Sequence, residues 1–278
     1  MKKLLILPAI VATVVAPAFA QEAVTPVDAG GTTVRIGIGG AYLPSYEGSD
    51  DYIFSPFGNA SITSRGRSIF TRGTKVYLDL IPAASDNSFD LELGPVAGLN
   101  LNRTSRIKDV QVKRLGEKRT AIEVGGFVGF TKTGVITSAY DTLTLRVSYV
   151  QDVNRAHRSH VITPSIEYGT PLSPTTYVGL TVSADITGDG YARYYYDVTP
   201  AESAVSGLSP SLTNGGLKNI AFGLLAAKSL TGDLRKGLSI FAIGNYSRLQ
   251  KDFRRSSIVS EAGSPNQWIG GLGLAYSF

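Results

Sequence analysis

The last eleven residues, Trp268-Ile269-Gly270-Gly271-Leu272-Gly273-Leu274-Ala275-Tyr276-Ser277-Phe278, decide the fold. Their even positions are Trp, Gly, Leu, Leu, Tyr and Phe, and their odd positions Ile, Gly, Gly, Ala and Ser. A strand sends alternate side chains to opposite faces. One face is therefore large and apolar with aromatics at both ends, and the other is small. At about 3.3 Å per residue, and tilted, such a strand covers the apolar thickness of an outer membrane. A chain that stops on an aromatic at the limit of its apolar face reads as the closing strand of a transmembrane β-barrel.

The opposite end agrees. Lys2 and Lys3 precede an apolar core from Leu4 to Val15, and Ala18-Phe19-Ala20 offers a cleavage site before Gln21, so residues 1–20 read as a secretion signal. The formal charge of +5 loses both lysines on cleavage, and so mild a surplus does not argue for nucleic acid. With 0 Cys, neither disulfides nor thiolate metal sites support the fold. The 31 Gly, 14 Tyr and 11 Phe are a heavy load for a soluble protein. No apolar run after residue 20 reaches the roughly 20 residues a membrane helix needs. A soluble β-sandwich or lipocalin-like barrel shares part of this signature, but neither explains the C-terminus.

Residues 21–33 are small and polar and read as a flexible periplasmic tail, which leaves 34–278 for the barrel. Alternation predicts strands near 34–42, 52–62, 68–81, 89–101, 122–130, 140–152, 159–169, 175–184, 218–229, 236–247 and 268–278. An even strand number requires three or five strands between 34 and 101, which gives ten or, if the 68–81 stretch folds back near Arg72-Gly73, twelve. An antiparallel transmembrane barrel of twelve strands is favoured over ten. Long outer loops and short inner turns put 102–118, 185–217 and 249–267 outside, and 170–174 and 230–236 inside. Pro164 has no amide to donate and implies a bulge or local irregularity.

Arg146 carries the sharpest local inference. Leu143, Leu145, Val147 and Tyr149 share one face of its strand, while Thr142, Thr144, Arg146 and Ser148 share the other. An arginine exposed to lipid at mid-depth costs about 2–4 kcal/mol, so Arg146 is expected inside, paired with Glu123 or Glu167 from a flanking strand. Arg35, Asp90 and Glu92 are further members of a possible lumen charge network. Inward Gly, Ala, Ser and Thr imply space in the lumen.

Other candidates have plainer readings. Gly188-Asp189-Gly190 lacks the further acids of a calcium loop and reads as a turn. Glu47 with Asp50-Asp51 reads as an acidic turn. Tyr191, Tyr194, Tyr195 and Tyr196 read as an aromatic girdle at the membrane interface. His157 and His160 lack the third and fourth ligands of a zinc site, and nothing marks a nucleophile beside them. Neither catalytic residues nor a cofactor are expected. The loop carrying Arg103, Arg106, Lys108, Lys113 and Arg114 would, if external, find its counter-charge in the phosphates of outer-membrane lipid and lipopolysaccharide.

Four stretches carry a family resemblance: Gly39-Gly40-Ala41-Tyr42-Leu43-Pro44-Ser45-Tyr46-Glu47-Gly48-Ser49-Asp50-Asp51, the run from Tyr195 to Leu208 (YYDVTPAESAVSGL), Asn245-Tyr246-Ser247-Arg248-Leu249, and Gly271 to Phe278. On these the chain resembles the MipA/OmpV family of outer-membrane proteins, across essentially all of its mature length. The chain departs from the family at Tyr195-Tyr196-Asp197-Val198, at Arg255-Ser256-Ser257-Ile258-Val259 and near Lys251-Asp252. The resemblance implies an outer-membrane scaffold that brings a murein transglycosylase and a murein synthase together, with no catalytic residues to carry over. A small porin or substrate channel is the competing expectation.

Overall fold

The computed structural model describes residues 31–83 and 89–278. The signal expected at 1–20, the expected tail through residue 30 and residues 84–88, where a turn near 82–88 is expected, lie outside the described residues. The strands are β1 (Thr32–Pro44), β2 (Tyr52–Ser64), β3 (Arg67–Arg72), β4 (Lys75–Asp79), β5 (Phe89–Asn100), β6 (Ala121–Thr133), β7 (Thr142–Asp152), β8 (His160–Ser173), β9 (Thr176–Thr187), β10 (Gly216–Ser229), β11 (Gly237–Leu249) and β12 (Asn266–Ser277). All pair antiparallel in chain order, and β1 closes on β12 from Arg35↔Ser277 to Tyr42↔Gly270. The 68–81 stretch does fold back, through β3 and β4. Closure gives every strand a partner on each side, as a bilayer demands, although the outer half of β2 pairs with β1 alone.

Alternation decides which side of the wall each residue faces. On β12, Trp268, Leu272, Leu274, Tyr276 and Phe278 are exposed, while Gln267, Ala275 and Ser277 are buried. The same parity exposes Ile36 and Ile38 on β1, Leu145 and Val147 on β7, and Phe222 and Leu224 on β10. A continuous apolar belt of this extent marks a membrane-facing surface. Aromatic pairs sit at its two limits: Tyr42 on Tyr52 (5.1 Å between ring centres) and Tyr246 beside Trp268 (4.6 Å) at one end, Tyr276 beside Phe278 (4.8 Å) and Phe89 beside Phe130 (5.8 Å) at the other. Among the described residues no helix is long and apolar enough to cross a membrane.

Two prolines refine the reading. Pro171-Leu172-Ser173 belongs to β8 rather than to the turn, because a register shift between Pro171 and Ser173 accommodates the ring inside the strand. At Pro164 the β8–β9 ladder skips from Ile162↔Ile186 to Ser165↔Ser183 without changing register. The missing amide thus interrupts the ladder without inserting a residue.

The inner turn at 134–141 is organised by one carboxylate. Asp141 accepts from the amides of Val135 (2.6 Å), Ile136 (2.9 Å) and Thr137 (2.5 Å) and from the Tyr168 hydroxyl (2.8 Å). Desolvation opposes its ionisation, but these donors prevail and hold its pKa well below the usual carboxylate range. A depressed folded-state value stabilises the fold above the unfolded value of about 4 and is lost as pH falls through the folded one. Asp141→Asn is therefore expected to lower the thermal midpoint at pH 7, with the gap to wild type closing below about pH 4. A gap that does not change with pH, measured by heat-modifiable gel shift, would contradict this role.

Candidate functional site

The strands deliver one layer of side chains to mid-lumen. Arg146 Nε and Nη2 donate to Glu92 Oε2 at 3.0 and 2.6 Å, and Nη1 donates to Glu167 Oε1 at 3.0 Å. Arg72 Nη1 stands 2.5 Å from the same Glu167 oxygen. Two guanidinium groups and two carboxylates, all buried, therefore link four strands across the lumen. The Arg146 guanidinium lies over Phe70 (5.3 Å) and Phe127 (5.9 Å), and Phe70 stacks on Tyr77 (5.2 Å). A second apolar group, with Tyr177, Leu225 and Phe241 packed against Phe57, fills another part of the interior.

Of the two acids expected to pair with Arg146, the structure brings in Glu167, and Glu92, expected only as a further member of the lumen network, takes the other place. Glu123 instead lies 3.5 Å from Lys75 Nζ and 3.3 Å from His157 Nε2. Its strand flanks β7, but register places Glu123 opposite Asp152 near the outer rim while Arg146 faces Gly129. Arg35 sits near the inner rim, where its Nε donates to Ser277 Oγ at 3.0 Å. Two of the inward glycines face occupied space. A side chain at Gly129 would meet Glu92 Oε2 at 3.0 Å, and one at Gly37 would meet Asn59 Oδ1 at 2.1 Å.

The outer mouth is covered by folded chain that the alternation pattern left as loop: α1 (Val110–Arg114), α2 (Asp189–Tyr196), α3 (Pro200–Ser206), α4 (Lys251–Arg255) and α5 (Ser257–Ser260). Thr199 and Glu202 form a capping box, Pro200 opens α3, and Gly207 ends it in the left-handed conformation at φ 81°. Gly188-Asp189-Gly190 starts α2, with Asp189 Oδ1 accepting the Gly215 amide at 2.8 Å.

The tyrosines of α2 do not form a girdle. Tyr191, Tyr195 and Tyr196 are buried and pack with Leu249, Phe253 and Val259 over the lumen. Residues spaced three to four apart share a helix face, so 191, 195 and the adjacent 196 turn inward together. Their anchor is Glu47. Its Oε2 accepts from Tyr191 Oη (2.9 Å), Tyr196 Oη (3.0 Å) and Asn102 Nδ2 (3.3 Å), and its Oε1 from Lys218 Nζ (2.9 Å). Burial, reinforced by the Glu47 carboxylate, pushes the Tyr191 and Tyr196 phenols well above their ordinary range, so both remain donors. Gly48, at φ 99°, is required beside this carboxylate, since a side chain there would strike Val259.

The basic loop divides. Arg103 is not available to lipid phosphates: it is buried and donates from Nη1 to the Tyr195 carbonyl at 2.7 Å. Arg106 donates to the Phe54 carbonyl and Lys108 Nζ to that of Tyr52 at 2.7 Å. Lys113 and Arg114 stand exposed at the end of α1. The two histidines do not share a site, since His157 meets Glu123 and Tyr191 while His160 stacks on Tyr149 at 5.7 Å. Between cap and mid-lumen layer lies a cavity of about 530 Å³, lined in part by Glu47, Lys75, Glu123, Asp185, Lys218 and Asn245.

Residues 36–278 match the family described as MltA-interacting protein MipA. Comparison with curated proteins gives no match. Among solved structures the chain is similar to an outer membrane channel from Pseudomonas putida (14% identity, TM-score 0.46, covering 92% of this chain and 100% of the other). It is also similar to the outer membrane channel DcaP of Acinetobacter baumannii (10% identity, TM-score 0.38, covering 92% and 100%).

Proposed function

Because this chain belongs to the MltA-interacting protein MipA family, we propose that this outer-membrane barrel is a non-enzymatic scaffold for murein-processing enzymes. What supports the reading is a lumen occupied at two levels, by the Arg72–Glu167–Arg146–Glu92 layer and by the cap anchored on Glu47. A barrel so filled offers its surfaces, rather than its interior, to partners. The family's name supports MltA as the first partner, and the resemblance implies that this is a murein transglycosylase joined by a murein synthase. On the outer side, exposed Lys113 and Arg114 remain the residues we assign to lipid phosphates.

A partner in the periplasm must be met from the inner end. The connections there are short: residues 65–66, 80–88, 134–141, 174–175 and 230–236. They cannot alone bury the roughly 1,200–2,000 Å² of a standard interface. Thr32 and Thr33 of the tail expected at 21–33 already pair in β1, so residues 21–31 supply the remainder, at an entropic cost that keeps affinity modest. Deleting residues 22–31, which spares β1, is expected to weaken capture of a purified murein transglycosylase by about tenfold, or about 1.4 kcal/mol, while the heat-modifiable gel shift of the barrel persists. Equal capture by the truncated and intact proteins would reject this placement of the partner. The competing channel reading draws on the cavity under the cap.

A further inference from the structure

The barrel wall has one low section. β3 and β4 contain 6 and 5 residues, against 12 to 14 in β1, β2, β5 and β8. β2 pairs with β3 only over Ser61–Ser64, and Thr71 Oγ1 serves the Ala60 amide and carbonyl just above. From Tyr52 to Asn59, β2 has β1 on one side and no strand on the other. Backbone groups of alternate residues point to the same strand edge. Ala60 therefore sets the parity, and Gly58, Pro56, Phe54 and Tyr52 turn theirs into the gap. Pro56 brings no donor there.

What spans the gap is the β5–β6 loop, held by side chains. Arg106 donates to the Phe54 carbonyl and Lys108 to the Tyr52 carbonyl, and both side chains are otherwise exposed. Such contacts can release without breaking a ladder. Outside the gap, Phe54 is exposed, and Tyr42 stacks on Tyr52 at the outer limit of the apolar belt. Inside it lies the 530 Å³ cavity, whose lining includes Ile53 of β2, the turn at Gly73 and Thr74, and Ser105 and Arg106 of the loop. The size is that of a small-molecule site. Tyr191 of the cap lines this cavity on the outer side and Arg72 of the mid-lumen layer lines it too, while Thr104, Ser105 and Arg106 of the loop across the gap form part of its wall.

We propose that this gap is a lateral port, latched by Arg106 and Lys108, through which the cavity takes a single-chain anionic amphiphile from the outer leaflet. Two cations at the port favour an anionic head. Within the cavity that head meets Lys75, whose 3.5 Å pairing with Glu123 is loose and whose side chain is 19% exposed. Leu43, Ile53 and Leu99 give the cavity apolar wall for the first methylenes, and the rest of the chain trails past Phe54 and Pro56 into lipid. The inference goes beyond the scaffold reading and does not depend on it.

The test is photolabelling of the full barrel in lipid nanodiscs with a diazirine-bearing palmitate, with adducts mapped by mass spectrometry. Adducts are expected within residues 43–58 and 99–106 and should be competed by unlabelled palmitate. Ser247→Trp, which fills the cavity from β11, should cut them about tenfold while the gel shift shows a folded barrel. Lys75→Met gives the same readout without adding bulk, should the tryptophan variant fail to fold. The double variant Arg106→Ala/Lys108→Ala should label faster. Adducts confined to belt residues such as Phe222 and Leu272, as for any surrounding lipid, would overturn the proposal. So would wild-type labelling of a folded Ser247→Trp or Lys75→Met barrel, or equal labelling by a diazirine alcohol of the same chain length.

Discussion

Arg146→Met is expected to cost the barrel about 3–5 kcal/mol, the usual penalty for removing one partner from a buried ionic group. The size follows from the geometry. Arg146 gives three donors to two carboxylates on separate strands, Glu92 on β5 and Glu167 on β8. Removing it leaves those two buried acids with Arg72 as the one guanidinium of the layer. Arg146→Lys should recover only part of the loss, because an ammonium cannot reproduce the planar fork that meets both acids. Replacing Arg72, Arg146, Glu92 and Glu167 together by apolar residues of similar volume should cost less than Arg146→Met alone, because no buried charge is then left without its partner. Urea unfolding in lipid vesicles, followed by gel shift, reads all four proteins. An Arg146→Met barrel within about 0.5 kcal/mol of wild type, the range of an ordinary surface substitution, would show that the layer contributes little.

The strands and their facing were legible because the period of two is a local property. Trp268 to Phe278 and Leu143 to Tyr149 each carry their orientation in their own residues, and the membrane turns that alternation into one apolar wall. The fold-back at Arg72-Gly73 was legible only through parity, since β3 and β4 are too short to announce themselves. Arg146 could be placed inside from the cost of lipid exposure, but its partner Glu92 lies two strands away, and register rather than sequence proximity brought it there. The tyrosines of α2 were misread because a helix and an interfacial strand end can carry the same aromatic run. A signal was present in Thr199-Pro200-Ala201-Glu202, whose spacing is that of a capping box and whose proline suits a helix start. Glu47 was invisible as an anchor, since its four donors come from residues 102, 191, 196 and 218. Two of the stretches that carry the family resemblance meet at that carboxylate, and a third, ending in Leu249, packs beside it in the same core.

Single-channel recording decides whether this lumen is closed. Purified barrels in planar bilayers should show no steady openings. The same silence is expected of a variant lacking residues 190–213, which removes most of α2 and all of α3 from the mouth. In that variant the Arg72–Glu167–Arg146–Glu92 layer and the rings of Phe70, Tyr77 and Phe127 still cross the interior below it. Steady ohmic openings from the intact protein, abolished when Gly37 or Gly129 is replaced by leucine, would contradict the account and move this barrel from scaffold to channel.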